Sequence, residues 1–253
     1  TIDLDALQTT VMALIVQITD GTVSQTGAEC VQNALKLWIA VVISNPLALL
    51  ESFFRLQHAT STVLSTLLCP SSAVRHSIAK AVYKLCALNA PARVRFLDLL
   101  LKNVPRAQPD TSAPPTNADQ YFDLLCKLVQ ETPDGEVLEF ELPAKLSDLL
   151  AQLKTYPFAE KSKESPDALM VGLIRLSRAI LDKVDVSKYC SEHDVRPLLS
   201  SLFNAGLFDR RQPKFVSIAS RTAAYGLLRS FVAGNAERMM FMWQQLAQLQ
   251  TQF

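Results

Sequence analysis

Apolar residues recur along this chain at the spacing of one face of an α-helix, and almost nowhere at the alternation of a half-buried strand. Leu4, Leu7, Val11, Leu14, Ile15 and Ile18 set the pattern, with Asp3 or Asp5 placed to cap the first turn. The same spacing predicts helices over about Gln25 to Ser44, then 46–57, 60–68, 71–88 and 90–103. Pro46 suits a first helical turn, with Asn45 ahead of it to accept the free backbone N–H groups. The longest apolar run, Leu37 to Ile43, is seven residues, far from the roughly 18 that a membrane span needs. It reads as a helix buried on several sides.

The pattern lapses between Pro105 and Ala118, where Pro105, Pro109, Pro114 and Pro115 stand among small polar residues and predict a loop. Helical spacing resumes near Asp119, through Tyr121, Leu124, Leu125 and Leu128, and breaks at Thr132-Pro133-Asp134-Gly135, a turn signal. Val137, Phe140 and Leu142 are spaced too unevenly to establish a strand. Pro143 opens a helix to about Lys154, Pro166-Asp167 another through Leu181, and the last helices fall near 194–207, 216–233 and 235–251. The expected organisation is N-terminal helical repeats over 1–104, a Pro-rich loop over 105–118 and C-terminal helical repeats over 119–253, in one continuous solenoid.

An internal repeat underlies this reading. Leu37-Trp38-Ile39 through Ser44-Asn45-Pro46 to Phe53, Val82-Tyr83-Lys84 through Leu88-Asn89-Ala90 to Leu97, and Leu228-Arg229-Ser230 through Gly234-Asn235-Ala236 to Trp243 share one design. Each is an amphipathic helix, an Asn as hairpin cap, and a second helix. Asn45 and Asn89 stand 44 residues apart, within the ~40–47 residues of armadillo and HEAT units. Laying Asn89 on Asn235, 146 residues on, also brings Arg75 onto Arg221, Ala87 onto Ala233 and Leu100 onto Leu246. Each hairpin has a face it cannot bury alone, so stacking is how such a chain makes a core. The expected fold is all-α, an armadillo/HEAT-like superhelical stack of about six helical hairpins.

Composition narrows the function. The net charge of +1, with both signs interspersed, lacks the basic stripe of a nucleic-acid groove. Seven glycines form neither GxGxxG nor GxxxxGK[ST], which argues against a phosphate-cradling loop. Five cysteines without a CxxC pair point to a reducing compartment, the cytoplasm or the nucleus. The opening Thr1-Ile2-Asp3-Leu4-Asp5 is acidic and already patterned, unlike a signal peptide, and reads as a cut in a longer chain. The partners expected are other proteins, with no nucleic acid, no membrane and no cofactor.

Few residues have the chemistry of a site. Among the three histidines, His58, His76 and His193, only His193 is near a cysteine, in Cys190-Ser191-Glu192-His193. With Asp194 that CxxH spacing is half of a zinc site, but a structural zinc wants four ligands and no second pair exists. The plainer reading is a solvated loop with Cys190 tucked against the core. Cys30, in Gly27-Ala28-Glu29-Cys30-Val31-Gln32-Asn33, falls at a helix start, where the dipole favours a thiolate. A cysteine hydrolase also needs a histidine base and an orienting Asn or Asp, and no such pattern accompanies His58 or His76; a small buried residue is the plainer reading. Trp38, Phe53, Phe54, Phe122, Phe231 and Trp243 lie at helical spacings, as core residues do. Met239-Met240-Phe241-Met242 reads as the packing face of a last hairpin, with an adaptable partner surface as the alternative. No catalytic, cofactor or metal residue is assigned.

The C-terminal half carries a resemblance. Leu149-Leu150-Ala151-Gln152-Leu153-Lys154, followed by Asp167-Ala168-Leu169-Met170-Val171-Gly172-Leu173-Ile174-Arg175-Leu176-Ser177-Arg178, resembles a stretch of the very large ubiquitin-specific proteases of the fat-facets type. There a helix ending in a Leu-Lys pattern precedes an Asp-x-Leu-x-x-Gly-x-Leu-x-Leu-Thr-Arg helix; here Ser177 stands where Thr is usual. Leu198 to Phe208 is similar to the next helix of that family, and Ser220-Arg221-Thr222-Ala223-Ala224-Tyr225-Gly226-Leu227-Leu228 to its Ser-Arg-x-x-Ala-(Phe/Tyr)-x-Leu-Leu helix. The resemblance spans Tyr121 to Phe253. It implies a helical-repeat region lying before the protease domain, a non-catalytic scaffold that positions ubiquitylated substrates or other partner proteins. The family's catalytic domain has a Cys box and a distant His box. Gly27 to Asn33 echoes the Cys box superficially, but Glu29 replaces its Thr and no His box follows, so no catalytic residue carries over. The alternatives are an unrelated armadillo/HEAT adaptor and, more remotely, a cysteine hydrolase using Cys30.

Overall fold

A computed structural model describes residues 3–19, 23–106, 117–136, 140–155, 168–184 and 217–251. Among them the regular structure is helical: α1 (Leu4–Thr19), α2 (Gln25–Ser44), α3 (Pro46–Arg55), α4 (Gln57–Leu67), α5 (Ser72–Leu88), α6 (Ala90–Lys102) and α7 (Asp119–Gln130). After a single 3-10 turn at Asp134–Glu136 come α8 (Leu142–Thr155), α9 (Ala168–Leu181), α10 (Ile218–Val232) and α11 (Ala236–Thr251). The helix expected at 194–207 lies outside the described residues, as do Val137, Pro166 and Asp167. The fold is all-α, and none of these helices is long and apolar enough to cross a membrane.

Two compact units divide the described residues, one of residues up to 105 with 117–128, the other from Val129 onward. In the first, α1, α2 and α3 each pack on the helix three places further along the chain. α1 lies against α4 and α2 against α5. α3 meets α6 through Phe53 and Phe54, whose ring centroids are 5.6 and 4.9 Å from that of Phe96. The repeating unit is therefore three helices, α1–α3 followed by α4–α6. Periodicity explains the faces: α2 buries Val31, Ala34, Leu35, Trp38, Ile39 and Val42, one helical stripe. Its register partners 44 residues later include Ile78, Val82 and Cys86, buried in α5. Trp38 also satisfies a buried amide, its Nε1 donating to Gln8 Oε1 at 3.2 Å while Gln8 Nε2 donates to Leu49 O at 3.4 Å. Buried polar groups need such partners, and here one glutamine links α1, α2 and α3.

The second unit runs α8 on α9, α9 on α10 and α10 on α11. Laying α10–α11 on α5–α6 at the Asn89/Asn235 register matches Val74, Ile78, Ala81 and Leu85 to Ser220, Ala224, Leu227 and Phe231, all eight buried. Gly234 closes α10 at φ +69°, a left-handed conformation that suits glycine beyond a helix end.

The caps divide the hairpin asparagines. Asn89 Oδ1 accepts Ala92 N–H and Asn235 Oδ1 accepts Arg238 N–H, each at 3.0 Å. The expectation that Asn45 caps α3 is corrected: its side chain makes no cap bond, although Pro46 does open the helix. Asn45 differs from Asn89 mainly in ψ, 73° against 108°, the torsion that sets where the first-turn N–H groups lie relative to the cap side chain. Of the two residues proposed to cap α1 it is Asp3 that does so, Oδ1 accepting from Asp5 and Ala6 N–H at 3.1 Å. Asn89→Ala is accordingly expected to cost about 1 kcal/mol and Asn45→Ala only a small fraction of that, measured by urea unfolding. Equal losses at both positions would contradict the cap assignment.

Candidate functional site

Local geometry at the Cys30 segment departs from the sequence reading twice. Ser24 caps α2 by accepting Gly27 N–H at 3.1 Å, so the helix starts at Gln25 and Cys30 sits in its second turn. The N–H groups that stabilise a thiolate belong to the first turn. Nor is Cys30 buried: it projects beside the stripe led by Val31 and Ala34 and is exposed. His58 on α4 and His76 on α5 are exposed as well, and among the described residues neither is hydrogen-bonded to Cys30. Cys190 and His193 lie outside the described residues. No group of three or more His, Cys, Asp or Glu side chains that could hold a metal occurs among the described residues.

The aromatics behave as core residues with one exception. Trp38, Phe53, Phe122 and Phe231 are fully buried, and Phe54 is half-buried against Phe96. Trp243 is 62% exposed, which corrects its assignment to the core. The reason is the turn of α11: Arg238 and Met242 face α10, the Arg238 guanidinium lying 5.4 Å from the Phe231 ring centroid. Met239, Met240 and Trp243 fall outside that buried stripe and are exposed. Of the methionine run, Met242 packs the hairpin and Met239 and Met240 do not.

A buried cationic joint went unassigned in the sequence. Arg75, on α5, has an 8% exposed side chain. Its Nη1 donates to Cys69 O and Pro70 O, both at 2.8 Å, and its Nε to Asp119 Oδ1 at 3.0 Å. The guanidinium thus ties the turn before α5 to the first turn of α7. Burial alone would raise the Asp119 pKa; the Arg75 charge and hydrogen bonds from Gln120 and Arg75 outweigh it and hold the carboxyl below its usual range. Burial pushes the neighbouring Cys69 thiol up. Arg221, its register partner in the second unit, is exposed where Arg75 is buried. Nearby, the buried Tyr121 hydroxyl lies 2.7 Å from Leu100 O and 2.9 Å from Asn103 O, sharing one proton between two carbonyls at the end of α6.

In the second unit four exposed arginines lie on α9 and α10. Those helices carry Arg175, Arg178, Arg221 and Arg229, all exposed, and no Asp or Glu. Arg178 lies across α10, its Nε donating to Ser230 Oγ at 3.2 Å. Gly226 gives it room: a Cβ there would sit 2.8 Å from Arg178 Nη1.

Comparison with known proteins finds similarity to a ubiquitin carboxyl-terminal hydrolase. The chain is 30% identical over 207 residues to ubiquitin carboxyl-terminal hydrolase 34 of Homo sapiens, and 31% identical over 207 residues to its Mus musculus counterpart. Each match covers 70% of this chain and 6% of the relative, so the chain spans a small part of the proteins it matches. No family model and no solved structure matches.

Proposed function

We propose that this chain is a non-catalytic helical segment of a large ubiquitin-specific protease. In this reading it is an armadillo/HEAT-like scaffold lying before the catalytic domain, which holds partner proteins or ubiquitylated substrates within reach of that domain. Its setting is the cytoplasm or the nucleus. The observation that carries the reading is the 30–31% identity to ubiquitin carboxyl-terminal hydrolase 34 over 207 residues. The three-helix repeat supports the armadillo comparison, since stacked units of this kind present extended surfaces to proteins. The exposed Cys30 in a second helical turn, unbonded to either described histidine, supports the non-catalytic part.

A ubiquitin probe with a cysteine-reactive C-terminus tests the chemistry. No covalent adduct is expected on Cys30, while iodoacetamide alkylates the same exposed thiol in a parallel sample. A ubiquitin adduct at Cys30 would overturn the non-catalytic reading. Reading the encoding gene beyond Phe253 tests the parentage: a Cys box and a distant His box are expected, and their absence would overturn the link to a deubiquitinase.

A further inference from the structure

We infer that Tyr225, Leu228 and Trp243 form the seat of a further amphipathic helix, carried by the same polypeptide beyond Phe253 and lying on α10–α11 as α7 lies on α5. Three helices in one register differ in which stripes they bury. α5 buries two, one of Val74, Ile78, Ala81 and Leu85, the other of Arg75, Ala79, Val82 and Cys86. A helix buried on two sides has neighbours on both, and α5 packs on α2 and on α7. The second stripe faces α7, the helix that follows. Arg75 Nε donates to Asp119 Oδ1 at 3.0 Å, and Lys127 Nζ lies 5.6 Å from the centroid of the Tyr83 ring. α2 buries the equivalents of that second stripe, Val31, Leu35, Trp38 and Val42, and leaves Leu37, the equivalent of Ala81, 47% exposed. α10 does the reverse. It packs on α9 and buries the equivalents of the first stripe, whereas Tyr225 is exposed and Leu228 and Val232 are half-buried in place of Ala79, Val82 and Cys86.

The second helix of the hairpin departs in the same way. Trp243 stands eight residues past Asn235, as Phe53 and Leu97 stand eight past Asn45 and Asn89. Phe53 is fully buried and Leu97 is 1% exposed, against 62% for Trp243. In the first copy the residues equivalent to Leu228 and Trp243 are neighbours, the ring centroids of Trp38 and Phe53 lying 5.2 Å apart. The repeat also names the occupant, because units of this kind are covered by the unit that follows. Phe53 has the Phe96 ring of α6 over it at 5.6 Å, and the second stripe of α5 has α7. Asp119, which opens α7, stands 30 residues after Asn89, and the same step from Asn235 passes Phe253. The relatives are far longer, this chain covering 6% of each. The covering helix presents an apolar stripe, since burial of a tyrosine, a leucine and a tryptophan is favourable only under apolar surface. The inference rests on the reading of this chain as a segment of a larger protein, and adds where the next helix lies.

Hydroxyl-radical footprinting, read by mass spectrometry, tests this on the 253-residue chain, diluted until it sediments as a monomer, and on the whole parent protein. Trp243 and Tyr225 are expected to oxidise readily in the chain and to lose most of that oxidation in the parent, down to the level of the buried Phe53. A photo-reactive p-benzoylphenylalanine in place of Tyr225 in the parent identifies what lies there. Irradiation is expected to cross-link it within the ~40–47 residues of the next repeat. The footprint needs no substitution, so it stands even if the photo-reactive protein fails to fold. The inference falls if Trp243 and Tyr225 oxidise alike in both proteins, or are already protected in the monomeric chain. It falls also if the cross-link joins a remote part of the parent, another protein or nothing. Protection that tracks dimer formation assigns the seat to a second copy and likewise overturns it. A parent with a Cys box and a His box in which Trp243 stays exposed defeats this inference alone, whereas a gene that stops at Phe253 defeats the parentage as well.

Discussion

Replacing Phe53 by alanine is expected to cost about 3–5 kcal/mol, the range for deleting a buried aromatic ring. Phe53 is fully buried, with ring centroids of Trp38, Phe54 and Phe96 at 5.2, 5.1 and 5.6 Å. These rings come from α2, α3 and α6, so the residue joins the first three-helix unit to the second. The loss combines the transfer of a large apolar side chain with a cavity its neighbours cannot fill, because they are held from separate helices. Thermal unfolding should show a midpoint lowered by roughly 10 °C or more. Phe53→Leu, which keeps much of the volume, should lose less than half as much. If Phe53→Ala were within about 1 kcal/mol of the parent, the stacking of α3 on α6 would have to be abandoned.

Arg75→Ala is expected to cost about 2–4 kcal/mol, mostly through what it strands. Cys69 O sits in buried surroundings and loses its 2.8 Å donor, a penalty of about 1–3 kcal/mol for an unpaired buried polar group. Pro70 O is partly accessible and can turn to water. The ion pair itself contributes less, because the Asp119 side chain is 46% exposed and water screens it. Asp119→Asn should therefore cost no more than about 1 kcal/mol. A double-mutant cycle should yield a coupling smaller than the Arg75→Ala loss. The pH dependence has a definite sign. The folded pKa of Asp119 lies below the usual 3.8, so its contribution is complete above that value and is lost as pH falls through the folded pKa. Urea midpoints should thus drop on acidification below about pH 4, and by less in Arg75→Ala. A coupling equal to the whole loss would instead make the ion pair the main contributor.

Helix positions were legible in the sequence because a 3.6-residue stripe is a local property. The bounds of α2, expected at about Gln25 to Ser44, are those observed. What periodicity leaves open is which stripe another helix covers. Trp243 follows the same spacing as Phe231, yet Phe231 lies under the Arg238 guanidinium and Trp243 faces outward. Residue type alone was likewise insufficient at Asn45, where the backbone torsion rather than the amide decides whether a cap forms. Arg75 stayed hidden for another reason: its carboxylate partner is 44 residues away in sequence, beyond the Pro-rich segment, and no spacing rule links the two.

The Tyr121 hydroxyl at the end of α6 and Asp119 on Arg75 together moor α7 to the helices that precede it. The backbone linking α6 to α7 is thereby relieved of a mechanical duty, since side chains and not peptide continuity hold the last helix of the first unit in register. A polypeptide severed between those helices is expected to keep α7 in place, which limited proteolysis followed by gel filtration would check. Evolution could lengthen, shorten or decorate that connection while the Tyr121 and Asp119 contacts keep their partners.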